Sequence, residues 1–297
     1  MGTPDFAVPS LKALVESGFN VVAVVTAPDR PAGRGLQLKT SAVKDYAVNQ
    51  GLPVLQPEKL KRPEFIETLT SYKADLQVVV AFRMLPEIVW NMPQLGTLNL
   101  HASLLPDYRG AAPINHAIIN GEKETGATTF FLKHAIDTGD IIMQRRIAID
   151  ENETAGSLHD KLMVIGADLV VDTVTKIQDG NAQSTPQPMG KGKEAPKIFP
   201  ENCVIDWNLE AIEIERFIRG LSPYPTAKTE LDGKQLKIYA SEISDLEKDG
   251  SPGDSFIDYE QKKLLFRSRD AWLSILDLQL QGKKRMLVED FLRGYRK

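Results

Sequence analysis

The sequence predicts an α/β chain, a doubly wound and mostly parallel sheet followed by a small β-barrel. Three observations carry this. Val-rich runs at 20–26 (NVVAVVT) and 74–81 (ADLQVVVA) are continuous rather than alternating, as in strands buried on both faces of a parallel sheet. Segments with helical spacing separate such runs. Past residue 200 the rhythm changes to short strands set off by turn residues.

Taken in order, residues 7–17 carry Leu11, Leu14 and Val15 at helical spacing, and Gly18 stands where a helix stops. Strands are expected at 96–101 (GTLNLH) and 127–133 (ATTFFLK), with a helix over 112–120 between them. A hairpin-like run at 140–149 leads into a long helix over 155–178, whose Leu158, Leu162, Ile165 and Leu169 fall on one stripe. Residues 179–200 are rich in Pro, Gly and Lys, a composition that punctuates rather than packs. The expected division is therefore a first domain over 1–182, a linker over 183–200 and a second domain over 201–297. In the second, a helix carries Ile214, Phe217, Ile218 and Leu221, and five strands centre on Thr229, Ile238, Phe256, Leu265 and Ile275. One expectation concerns the start. The turn Gly2-Thr3-Pro4 reads as leaving a buried strand, yet almost nothing precedes it, so a short apolar strand is expected upstream of Met1.

Hydrophobic residues make up 42% of the 297 and charged residues 26%, which excludes disordered and membrane classes. No apolar run approaches a membrane span, and the first ten residues lack a signal-peptide pattern, so a cytoplasmic location is expected. The single cysteine, Cys203, cannot form an internal disulfide, and no Cys/His cluster has zinc spacing, so a metal-free site is expected. A net charge of -4 argues against a nonspecific nucleic-acid coat. Local basic patches remain at Arg30, Arg34 and Lys39, at Lys191, Lys193 and Lys197, and at Lys283, Lys284 and Arg285.

The densest chemistry lies in 97–113, TLNLHASLLPDYRGAAP, which runs from a strand through a loop into a helix, where open α/β sheets hold their ligands. Asn99 and His101 are two apart on a strand, so both side chains leave the same face. Downstream, HAIDTGD at 134–140 ends the next strand. If neighbouring strands bring Asp137 to His101, its carboxylate favours the imidazolium, and a cationic His beside an amide stabilises the oxyanion of a tetrahedral centre. His116 and His159 fall in helices and read as structural. His134, three residues before Asp137, is placed to line the ligand site and is not counted among the catalytic residues.

These residues resemble a known family. The pattern NLHASLLPDYRGAAPI, with HAIDTGD downstream, the opening GTPDFAVPSL, the APDRPAGRG loop at 27–35 and Ile205-Asp206-Trp207, is similar to the methionyl-tRNA formyltransferases of bacteria and organelles, over nearly the whole chain. The resemblance implies a Rossmann-like catalytic domain and an OB-like C-terminal barrel. It implies transfer of a formyl group from 10-formyltetrahydrofolate to the amine of initiator methionyl-tRNA, without a metal and by a monomer. Carried over, Asn99, His101 and Asp137 are catalytic. Ser103, Leu104, Leu105 and Pro106 adjoin the folate, and Phe82, Arg83, Met84 and Leu85 line the pterin pocket. Arg30, Arg34 and Lys39 belong to a loop that engages the tRNA, to which the barrel adds backbone contacts. An amino-sugar or purine-precursor acceptor would keep the same chemistry, and a nonenzymatic nucleotide-binding module is the remote reading. The latter has neither G-x-G-x-x-G nor a phosphate-loop lysine behind it.

Overall fold

The computed structural model describes residues 1–32, 37–188, 190 and 192–295. Two compact units share the chain. The first comprises Met1–Gly110, Thr125–Ile147 and His159–Glu194, and the second Ala111–Glu124, Ala148–Leu158 and Ala195–Lys297.

In the first unit, helix α1 (Val8–Glu16) has a proline in its opening turn and gives way to Gly18, whose φ of +79° suits a left-handed stop. Strand β1 (Val24–Val25) is followed by the hairpin β2 (Arg30–Ala32) and β3 (Gln37–Lys39), and by α2 (Ala42–Asn49), whose cap Ser41 accepts from the Lys44 amide at 3.1 Å. Then come β4 (Val54–Leu55), α3 (Pro63–Ser71), β5 (Gln77–Val80), α4 (Glu87–Trp90) and β6 (Thr97–His101). β7 (Arg109–Gly110) and, in the second unit, α5 (Pro113–Ile119) precede β8 (Glu124–Phe131) and β9 (Ile141–Ala148). Helix α6 (Ala155–Gln178) has the bounds the periodicity predicts.

Strands β5, β6, β8 and β9 form one sheet in that order, and β1 pairs β4 in parallel. β5 and β6 are parallel, whereas β6 and β8 are antiparallel, so the parallel order ends at the strand carrying Asn99 and His101. Met1 and Gly2 lie between β1 and β5. The Gly2 amide donates to the Val25 carbonyl at 3.1 Å, and the Val80 amide donates to the Met1 carbonyl at 2.9 Å. The strand expected over 20–26 is accordingly short. It forms at Val24–Val25, where β4 and Gly2 supply partners, while Val21, Val22 and Ala23 line a cavity of about 570 Å³. The hairpin-like run at 140–149 is also corrected, being the single strand β9.

Helix α6 packs tightly on the site strand. A Cβ at Gly166 would lie 2.8 Å from Leu100 of β6, and the Thr173 and Thr129 hydroxyls meet at 2.8 Å, tying α6 to β8. Below β5, Phe65, Leu69, Val79 and Val89 form a buried cluster.

The second unit contains all five expected strands. β11 (Ala227–Leu231), β12 (Lys234–Ser244), β13 (Ser255–Asp258), β14 (Lys263–Arg267) and β15 (Trp272–Leu280) make an antiparallel sheet in the order β11-β12-β15-β14-β13, with β16 (Met286–Leu287) added to β15. Among the described residues the edge strands β11 and β13 are not paired with each other. Helix α7 (Ala211–Leu221) buries Ile214, Ile218 and Leu221 in this unit's core, where Trp207 stacks on Phe266 with centroids 4.9 Å apart. The short strand β10 (Glu194–Ala195) lies before α7, and α8 (Val288–Gly294) is the last element.

Candidate active site

His101 ends β6 almost fully buried. Its Nε2 lies 2.8 Å from the Tyr108 carbonyl oxygen, and a carbonyl can only accept, so Nε2 carries the proton. Nδ1 is left facing Asp137, whose Oδ2 stands 3.8 Å away. That is longer than a hydrogen bond, a spacing common in sites that tighten when substrate arrives. Asn99 leaves the same face of β6, and among the described residues its amide has no hydrogen bond within the chain.

Backbone strain marks both partners of His101. Asp137 has a φ of +53° and Tyr108 of +61°, a region that bulky side chains avoid and that surrounding contacts must hold. For Asp137 one contact is the Gly110 amide, which donates to Oδ2 at 3.0 Å. Two residues on, Gly139 is obligatory, since a Cβ there would sit 1.5 Å from the Phe131 carbonyl oxygen.

The loop after His101 is braced from β8 and β9. The Thr128 hydroxyl donates to the Ser103 carbonyl at 2.6 Å and accepts from the Leu105 amide at 3.1 Å, while Gln144 Nε2 donates to the Leu105 carbonyl at 2.8 Å. Ser103 and Leu105 are buried, and the Ser103 hydroxyl donates to the Asp107 carbonyl at 2.6 Å, so these two shape the loop from within. Leu104 and Pro106 are half-buried. In the other expected segment, Leu85 is buried and Phe82 half-buried, Met84 is exposed, and the Arg83 guanidinium donates to the carbonyls of Glu58 and Pro57. His134 is exposed on the rim, its Nε2 3.4 Å from Glu87 and its ring edge-on to Trp90.

Arg30 and Lys39 are cross-strand partners in the β2–β3 hairpin, both exposed. Like charges placed directly opposite cost stability, an arrangement that an anion relieves. The hairpin is rooted by Asp29, which pairs with Lys44 and accepts from Gln56 Nε2 at 2.8 Å. The Lys44 hydrogen bond, then that of Gln56, holds the Asp29 carboxyl below its ordinary range. Arg34 lies outside the described residues.

Comparison with known proteins fits this geometry. Residues 1–174 match the family model described as formyl transferase, and residues 197–296 match the formyl transferase C-terminal domain. The methionyl-tRNA formyltransferase of Phocaeicola vulgatus is 58% identical over all of this chain and 94% of its own length, and that of Parabacteroides distasonis is 55% identical with the same coverage. The chain belongs to the methionyl-tRNA formyltransferase family. An N-formyltransferase from Helicobacter canadensis, solved with folinic acid and dTDP-3-aminofucose, superposes on this formyltransferase with a TM-score of 0.64 at 21% identity, covering 92% of this chain and 96% of its own, a likeness of fold.

Sequence reasoning missed the residues of this formyltransferase that hold the site from the stretch after α6. Thr185 exchanges backbone hydrogen bonds with Ile141 of β9, both 2.8 Å. Gln187 is buried against the Asp137 turn, its Nε2 donating to the Asp137 carbonyl at 2.9 Å. The one signal present was a Gln set between Pro186 and Pro188, which points nowhere by itself.

Proposed function

We propose that the chain transfers the formyl group of 10-formyltetrahydrofolate to the α-amine of initiator methionyl-tRNA, giving N-formylmethionyl-tRNA for translation initiation. The observation that carries this reading is full-length similarity, at 55–58% identity, to proteins bearing that name. The paired His101 and Asp137 support the chemistry.

The neutral amine attacks the formyl carbon, and negative charge grows on the formyl oxygen. Asn99 donates to that oxygen from its uncommitted amide. With Nε2–H spent on Tyr108, Nδ1 is the nitrogen of His101 left for the reaction. A proton on Nδ1 makes the ring cationic beside the Asp137 carboxylate and adds a second donor to the oxyanion. Collapse breaks the bond between the formyl carbon and the folate nitrogen. The proton lost by the amine reaches that nitrogen, with Asp137 as the relay. The product amide and tetrahydrofolate account for every atom.

The loops at 82–85 and 103–106 form the folate side of the site, with Leu104, Pro106, Phe82, Arg83 and Met84 the members that present surface. Arg30 and Lys39, with Arg34 between them in sequence, meet tRNA phosphates. All these residues come from one chain, so a monomer suffices. No helix among the described residues is long and apolar enough to cross a membrane, and the reaction belongs in the cytoplasm with the translation machinery.

A transfer assay with charged and uncharged initiator tRNA tests the reading. Formylation of the charged species alone is expected. Transfer to an amino-sugar nucleotide in preference to charged tRNA would overturn the choice of acceptor.

A further inference from the structure

Gln187 makes four hydrogen bonds with one side-chain amide. Its Nε2 donates to the Asp137 carbonyl at 2.9 Å and to the Gly139 carbonyl at 2.7 Å. Its Oε1 accepts from Arg109 Nε at 3.1 Å and from Nη2 at 2.6 Å. Two N–H donors and two lone pairs are the whole capacity of a primary amide, so none is left over. The orientation is fixed as well. A flipped amide would set its NH2 against a guanidinium and its oxygen against two carbonyls, and a buried polar group so misplaced is costly.

These bonds fall on the strained part of the site. Asp137 sits in the left-handed region, which an L-residue with a side chain holds only under outside constraint. Its carboxylate is fixed by the Gly110 amide and its carbonyl by Gln187, so carboxylate and backbone are pinned from different sides. Arg109 and Gly110 are adjacent, so β7 supplies both the donor to the carboxylate and the guanidinium that anchors the amide. The same stretch of chain also reaches the other partner of His101. The Tyr108 amide donates to the Lys193 carbonyl at 2.5 Å, and the Lys193 amide donates to Asp107 Oδ1 at 2.9 Å. Between them Gly192 passes so close that a Cβ would lie 2.2 Å from the Pro106 carbonyl oxygen.

We infer that Gln187 is a positioning residue for formyl transfer: by bridging Arg109 to the Asp137–Gly139 turn, its amide sets the Asp137 carboxylate against Nδ1 of His101. The inference rests on the reading of Asp137 as a catalytic group. Gln187 acts only through Asp137. Its loss should therefore lower turnover without weakening either substrate's binding, because misplacing a reacting group by about an ångström costs up to about a hundredfold.

The test is steady-state kinetics on the full chain with Gln187→Met, which fills the space and removes all four bonds, alone and combined with Asp137→Ala. Expected is a fall in kcat of about tenfold to a hundredfold with KM for folate and for charged tRNA little changed, and no further loss when Gln187→Met is added to Asp137→Ala. Wild-type kcat in folded Gln187→Met overturns the inference. So does a loss that persists undiminished in the Asp137→Ala background, which marks a purely structural role. If Asp137→Ala itself keeps wild-type turnover, the reading of Asp137 fails instead, and the two failures are distinct. Should Gln187→Met not fold, Arg109→Lys loosens the amide from its other side. It is expected to lower kcat in the same non-additive way, and an unchanged kcat there overturns the inference.

Discussion

Nε2 of His101 donates to the carbonyl oxygen of Tyr108 at 2.8 Å, which commits one ring nitrogen to the fold and leaves Nδ1 facing Asp137. On the proposed mechanism, the ring and the carboxylate that faces its free nitrogen should be comparably sensitive to removal.

His101→Ala and Asp137→Ala should each lower turnover by about two to four powers of ten while the protein stays folded, because the proposed mechanism has both groups act on the transition state rather than fill the core. Single-turnover formylation, with circular dichroism to establish the fold, measures this. Near-wild-type rates in folded variants would remove the pair from the mechanism.

Charge reversal in the β2–β3 hairpin should separate the two substrates. Arg30→Glu or Lys39→Glu is expected to weaken use of charged tRNA and to lower the salt slope of that step by about one for each phosphate no longer neutralised, leaving folate affinity alone. Measuring KM for tRNA across a salt series, beside folate binding by fluorescence, decides it. Equal damage to folate binding would move the hairpin out of the tRNA interface.

The second unit carries a carboxylate whose ionisation stabilises it. Asp270 Oδ1 accepts from the Ala211 amide, the first of α7, at 2.8 Å, and this bond, opposed by some desolvation and aided by Ser268, lowers its pKa from 3.8. A carboxyl depressed in the folded state binds fewer protons there than when unfolded, so it stabilises the fold above the unfolded value and loses that contribution as pH falls through the folded one. Asp270→Ala should cost about 0.2–1 kcal/mol at pH 7, the range left to an exposed charged contact after solvent screening, and the gap from wild type should narrow as pH falls through the carboxylate range. Urea unfolding at a series of pH values reads both, and a gap independent of pH would refute the assignment.

What could be read from the sequence was local or periodic. Asn99 and His101 declared their shared face because strands repeat every two residues, and α6 declared both its ends because its apolar stripe is long. The strand over 20–26 was over-read because a Val run records burial, not the presence of a ladder partner on each side. Tyr108 in the left-handed region could not be foreseen, since an aromatic residue is among the last expected there. Gln187 was hidden for a different reason. It meets a carbonyl fifty positions earlier in the chain, from a segment whose composition signals a loop. Composition reports what a segment can pack, and is silent on which single side chain reaches back to a distant turn.

The two matched family models leave residues 175–196 between them, and Thr185, Gln187 and Lys193 all lie in that interval. A chimaera spliced at the end of the first model would keep the parent's Asn99, His101 and Asp137 yet inherit the clamps on that site from the other parent. Segments Ala111–Glu124 and Ala148–Leu158 complicate it further, since they belong to the second unit while preceding the splice. In exchanges between relatives, the crossover that keeps Asp137 with its hydrogen-bond partners Gly110 and Gln187 from one parent falls after Glu194, and, on the function proposed above, recombinants broken earlier are expected to turn over more slowly.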